Sequence, residues 1–298
     1  MRVTNNTVSE SVVGQIQSLG AQQAKLQNQV STGQRIFQAS DDPAATGRVL
    51  DYQSELRKMS QFQTNAARAL QLSQASFSGL KAIKTVADRA TQIGTLGGGS
   101  VNPAQTQAYA SEVNQLIEQT LQLTNSRLGN DYLYGGTSVS SAPFVATRNA
   151  QGQVVSVAYA GNASEAEIPL SETTTINPAT RGATNVALGD FLNQLVALRD
   201  ALNANDVSAI NTAQGALVGS EDTLVSALAE HGGIQMRIEA NREQQKDRAI
   251  ELEKLVSSET DADLPSTIVK LTQAQTAYQA ALQSAANIMR ISLLDYIK

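Results

Sequence analysis

Residues 264 to 298, LPSTIVKLTQAQTAYQAALQSAANIMRISLLDYIK, set the terms for the whole chain. Ile268, Leu271, Tyr278, Leu282, Ala285 and Met289 succeed one another at intervals of three, four or seven, with Gln275 inside the same series. That spacing predicts one helix with a narrow apolar seam of the coiled-coil kind. The other faces are unusual for a helix that meets only water. Lys270 and Arg290 are the only charges before Asp295 and Lys298, and Gln, Ser, Thr and Ala fill much of the rest. Exposed helix faces ordinarily carry more charge.

The opposite end has the same character. Val12, Ile16, Leu19, Leu26 and Val30 recur at three, four and seven with Gln23 in the series, and only Glu10 and Lys25 are charged between Arg2 and Arg35. So few buried side chains do not offset the entropy of ordering a segment this long, so neither end is expected to hold its shape alone. Even paired, two thin seams are marginal, and their uncharged flanks are expected to meet further copies of the chain. The plainer alternative is a pair of core helices in one monomeric bundle.

With 298 residues, 41% hydrophobic and only 4% aromatic, the chain builds real but thin cores, which suits long helical packing better than one large globule. A net charge of -5 and the absence of any basic run argue against nucleic acid or an anionic membrane as partner. There is no apolar run of about 18 residues that would span a bilayer. The opening MRVTNNTVSESVVG lacks the basic and apolar regions of a cleavable signal peptide, so the expectation is a soluble chain or one exported by a route that does not read such a signal. With no cysteine, neither a disulfide framework nor a thiolate site is available.

Between the two ends the chain reads mainly as long helices. Ser31-Thr32-Gly33-Gln34-Arg35 breaks the first helix, and Ser40-Asp41-Asp42-Pro43 starts the next, with Asp42 as cap and Pro43 in the first turn. Capping is a better reading of Asp41 and Asp42 than metal ligation, which needs more oxygen ligands nearby. Helical period then runs from Ala44 to about Leu96, about 80 Å at the usual rise, with Gly79 as a candidate bend. Gly97-Gly98-Gly99-Ser100 ends it, and Asn102-Pro103 opens another helix, capped by Asn102, that continues to about Leu128. From Tyr132 the composition shifts to Gly, Thr, Ser and Val, and Val155, Val157 and Tyr159 alternate at strand period before a candidate Gly161-Asn162 turn. Helical period returns at Asp190, breaks near Asn203 to Asp206, and runs on through a possible interruption at His231-Gly232-Gly233 to a cap-rich joint at Ser257 to Asp263.

No site for chemistry emerges, and no catalytic residue, cofactor or metal is expected. His231 is the only histidine, so it has no partner for a two-histidine metal site, and it is read as an ordinary helix or turn residue. Glu221-Asp222 and Asp261/Asp263 fall in capping or solvated contexts without the apolar pocket of a general acid. Asn162-Ala163-Ser164 and Asn5-Asn6-Thr7 match the glycosylation pattern, a short match that arises easily by chance.

Four segments carry a resemblance: Val30-Ser31-Thr32-Gly33-Gln34-Arg35, Ala39-Ser40-Asp41-Asp42-Pro43-Ala44, Tyr132-Leu133-Tyr134-Gly135-Gly136-Thr137, and Ile291-Ser292-Leu293-Leu294-Asp295-Tyr296. Through them the chain resembles the flagellin superfamily of bacterial flagellar proteins, over roughly the first 135 and last 110 residues. The Asp-Asp-Pro opening, the Tyr-Leu-Tyr-Gly-Gly turn and the Leu-Leu-Asp-Tyr ending are closer to the hook-associated branch than to filament flagellin. The resemblance implies a non-enzymatic structural subunit, exported through the type III apparatus with the help of a cytoplasmic chaperone. It implies a place in the flagellum between the other junction protein, FlgK, and the first flagellins, with self-association in a ring or helical layer. It also implies a flagellin-like, mainly α fold with a small β-rich insertion. Residues 1–38 and 262–298 would form the inner coiled-coil segments, 39–133 and 187–261 a long-helix bundle, and 134–186 an outward β-rich domain. The residues expected at the assembly interface are Val12, Ile16, Leu19, Leu26, Val30, Ile268, Leu271, Tyr278, Leu282 and Met289. Two alternatives stay open: a filament-forming flagellin with a short outer domain, and an unrelated coiled-coil scaffold or cryptic enzyme.

Overall fold

A computed structural model describes residues 5–99 and 102–296, with side chains described for 10–99 and 102–287. Among these residues the chain is mainly helical. The helices are α1 (Asn5–Thr32), α2 (Pro43–Gly98), α3 (Pro103–Thr124), α4 (Gly182–Ala204), α5 (Val207–Thr260) and α6 (Leu264–Tyr296). Between α3 and α4 lie three short antiparallel ribbons: β1 (Arg127–Leu128) with β2 (Asp131–Tyr132), β3 (Phe144–Arg148) with β4 (Val154–Tyr159), and β5 (Ile168–Pro169) with β6 (Thr175–Ile176). Two compact units result, Lys58–Asp247 and the joined segments Met1–Arg57 and Arg248–Lys298.

The unit Lys58–Asp247 holds the larger core. Leu80, Ile83 and Ile93 of α2, Val113 and Ile117 of α3, Leu188, Phe191, Leu192 and Leu195 of α4, and Ile210, Leu217 and Leu224 of α5 are buried together. The apolar positions of each helix recur at three and four, so one stripe per helix faces inward. The strands share this core, since Tyr134, Phe144, Val154 and Val157 belong to the same buried cluster. A ribbon of two strands is marginal alone, and two asparagine amides steady it. Asn125 donates to Phe144 O and accepts from Phe144 N, at 2.9 and 3.0 Å. Asn193 does the same for Val157, at 2.9 Å in both directions. A smaller cluster lies under the β5–β6 hairpin, where Leu170 and Ile176 cover Ala66 and Ala69 of α2 and Ile238 of α5.

Several boundaries depart from the sequence reading. Helix α3 stops at Thr124 rather than near Leu128, because Asn125 turns its side chain to the strand and Arg127–Leu128 pairs with Asp131–Tyr132. Helix α4 starts at Gly182, eight residues before the expected Asp190, and Asn185 within that added stretch is buried and bonded to Thr180. Helix α5 runs unbroken through His231-Gly232-Gly233, because His231 is buried against Ser73 of α2 and packing overrides the local cost of two glycines. Helix α2 likewise continues through Gly79, which makes room for a neighbour. A Cβ there would stand 2.1 Å from the Tyr134 hydroxyl, which donates to Ser76 O at 3.1 Å. Asn162 of the first glycosylation match is occupied on both sides of its amide, accepting from Thr137 N and donating to Thr137 Oγ1. The side chains of Asn5, Asn6 and Thr7 lie outside the described residues.

Candidate assembly interface

The second unit brings the two ends of the chain together. Arg35 N donates to Thr260 O at 2.6 Å and Ala262 N donates to Gly33 O at 2.8 Å, which fixes α1 and α6 antiparallel from a bridge between Gln34 and Asp261. Further along, the Tyr278 ring edge lies 3.5 Å from where a Gly20 Cβ would stand, an ordinary contact distance that puts Tyr278 of α6 against α1. On α1 the inward residues are Val12, Ile16, Leu19, Gln23, Leu26 and Val30, all half-buried at the expected positions.

The seam of α6 is displaced from the expected one at three points. Thr267, Leu271, Ala274, Tyr278, Ala281 and Ala285 face the pair, at intervals of four and three, in place of a series through Ile268, Gln275 and Leu282. Small residues permit a close approach, and Thr267, Ala274 and Ala285 are the buried members. The consequence is that several large apolar residues of α6 face away from the pair, with Thr272, Gln275 and Gln279 between them. Ile268 is 49%, Val269 57% and Leu282 43% exposed, and Leu264 begins the same face. Met289 follows Leu282 by seven residues in sequence, and its side chain lies outside the described residues.

Where the pair meets the rest of its unit, the polar residues of the joint interlock. Lys25 Nζ donates to Asp41 Oδ1 at 2.7 Å, while the amides of Phe37 and Gln38 donate to Asp41 Oδ2 at 3.0 and 3.1 Å. Those contacts, the lysine first, hold the Asp41 carboxyl down at about 2. Asp42 caps α2 by accepting from Ala45 N at 3.0 Å and also receives Arg35 Nη1 at 3.2 Å, which together lower its pKa. Arg35 Nη2 reaches across to Glu259 O at 2.8 Å. Arg48 grips the Glu259 carboxylate with two bonds, 2.8 and 2.9 Å, and keeps it below its ordinary range. Arg48 has no part in the sequence reading, and Arg35 and Glu259 enter it only as members of the breaker at 31–35 and the joint at 257–263. In the other unit Asn102 caps α3, accepting from Ala104 N at 3.0 Å with Pro103 beside it.

Among the described residues no cluster of three or more His, Cys, Asp or Glu is placed to hold a metal ion, and no helix is long and apolar enough to cross a membrane. The geometry binds helices to helices.

Comparisons with known proteins agree with this picture. Residues 3–134 match the family described as the bacterial flagellin N-terminal helical region. The chain is similar to flagellar hook-associated protein 3 of Salmonella typhimurium, 25% identical over 99% of both chains. Among solved structures, a putative flagellar hook-associated protein from Vibrio parahaemolyticus superimposes with a TM-score of 0.66 at 17% identity, covering 74% of this chain and 100% of that one. FlgL of Bacillus cereus superimposes with a TM-score of 0.60 at 18% identity, covering 70% of this chain and 99% of that one.

Proposed function

We propose that the chain is a member of the flagellin superfamily and a structural subunit of the bacterial flagellum, placed at the hook–filament junction. The observation that carries this reading is the end-to-end similarity to hook-associated protein 3, which includes both terminal helices and the region between them. The α1–α6 pair gives it a physical basis, because Ile268, Val269 and Leu282 stay about half exposed beside a seam of smaller residues. Val12, Ile16, Leu19, Leu26, Val30, Leu271 and Tyr278 would hold the pair, and Ile268, Leu282 and Met289 would meet neighbouring subunits.

In this reading the subunit associates with its own copies in a ring or helical layer, with FlgK on one side and flagellin on the other. It reaches that place through the type III export apparatus, held beforehand by an export chaperone. Assembly is coupled folding. The thin seam between the ends becomes fully ordered only against neighbouring subunits, which limits polymerisation beforehand.

Labelled protein imaged on intact flagellated cells tests the placement. A single spot at each filament base is the expected result, whereas label along the whole filament would overturn it in favour of a filament-forming flagellin. Hydrogen exchange on the purified monomer tests the coupled folding. Residues 264–298 should exchange faster than residues 43–96, and equal protection would refute it.

A further inference from the structure

Within the unit Lys58–Asp247, the contact between α2 and α5 contains a polar layer in otherwise apolar surroundings. Ser73 Oγ and His231 Nδ1 share a hydrogen bond of 3.1 Å, and both residues are buried. One turn to either side along the antiparallel pair, Ser76 Oγ and Gln235 Nε2 are buried without a hydrogen-bond partner. Orphaned polar atoms of this kind cost free energy and so reduce what the contact contributes to stability. Gly232 and Gly233 adjoin the layer on α5 and add backbone freedom.

The charges around His231 are few and already engaged. Between Arg68 and Lys81, α2 carries no charged residue, and between Asp222 and Arg237 the only one on α5 is Glu230. Glu230 is paired with Arg181, from the segment that enters α4, at 2.7 Å. The β5–β6 hairpin contributes Glu172, which is held by Lys58 at 2.6 Å. The turn after β2 brings in Tyr134, which burial keeps neutral and which donates to Ser76 O.

We propose that the Ser73–His231 layer is an acid-sensitive latch: protonating the imidazole places a charge without a counter-ion inside the α2/α5 contact, and the contact opens locally. The latch does not depend on the proposed place in the flagellum. Burial holds the His231 pKa down to about 4, from an ordinary value of 6.5, in the closed state. The sign follows from linkage. The open state takes up the proton first, so closure is complete above about pH 6.5 and is progressively lost as the pH falls toward about 4.

Hydrogen exchange over residues 224–238 of the full chain, corrected for intrinsic rates, reads the opening directly. Between about pH 7 and about pH 5 the opening equilibrium should rise about twentyfold in the native protein. His231→Gln retains an amide that can bond to Ser73 and carries no titratable group, so the pH step should vanish. An unchanged native protein, or the same step in the variant, would overturn the latch. Because the chain has a single histidine, its ring resonances give an independent reading that needs no variant. A titration midpoint below about 5.5 supports the latch, and one at or above it overturns the latch.

Discussion

The two units bury apolar surface in opposite ways. In Lys58–Asp247 the large side chains are the inside ones, with Leu80, Ile83, Phe191, Leu192 and Leu195 essentially inaccessible. In the α1–α6 pair the most deeply buried seam positions are Thr267, Ala274 and Ala285, while Ile268, Val269 and Leu282 face outward. Since stabilisation scales with the apolar area removed from water, the first unit draws its stability from its own side chains and the second leaves part of that surface exposed. On the proposed function, the first core is finished by one chain and the second by several together.

The largest effect expected from this contrast is on stability. Phe191→Ala should destabilise the bundle by about 3 to 5 kcal/mol, as a large cavity in a packed core does. Leu19→Ala, at a half-buried seam position, should cost less than about 1.5 kcal/mol, because much of that side chain already meets solvent. Urea denaturation followed by circular dichroism measures both, and equal losses would break the comparison. Next in size is Gly79→Ala. The Tyr134 hydroxyl occupies the space its Cβ needs, so a loss of about 1 to 3 kcal/mol is expected from overpacking.

These sites also show what could be read from the chain alone. The α1 seam was legible because its inward residues are its large apolar ones. On α6 the period was legible and the phase was not. Thr267 and Ile268, like Ala281 and Leu282, are adjacent, and choosing the larger member of each pair rotates the seam by about 100°. The caps at Asp42 and Asn102 are local and follow from adjacent prolines. The Arg48–Glu259 grip joins residues 211 apart in sequence, and no local signal announces such a pair. The same limit hid the reason α5 is continuous at Gly232-Gly233, since His231 is held by a serine on another helix.

Acid should separate the two units by pH. In the joint of the terminal unit, Asp41, Asp42 and Glu259 all have lowered pKa values, so their stabilisation is present above the ordinary values of 3.8 and 4.5 and is lost as the pH falls through the lowered ones, to about 2 for Asp41. The bundle contact at His231 should weaken earlier, between about 6.5 and about 4. Amide exchange at Phe37, Gln38 and Ala45, whose donors bind those carboxylates, should therefore stay slow at about pH 5 and quicken only below about pH 4. Loosening of both regions in one pH window would remove the distinction. The neutral variant Asp42→Ala, which removes the cap of α2, should lower the unfolding midpoint and abolish the acid step at Ala45.

The clearest functional effect should come with only a modest stability one. If Ile268 and Leu282 are held in reserve for neighbouring subunits, replacing both with serine removes side chains already about half exposed in the isolated chain, and its unfolding free energy should fall by less than the Phe191→Ala loss. The same double variant should fail to incorporate into flagella. Ala274→Ser and Ala285→Ser, on the buried face, should act in the reverse order, loosening the pair before they affect docking. A double variant that assembles normally would mean that Ile268 and Leu282 are ordinary exposed surface. The contrast between a self-finished core and a shared one would then have to rest on the seam alone.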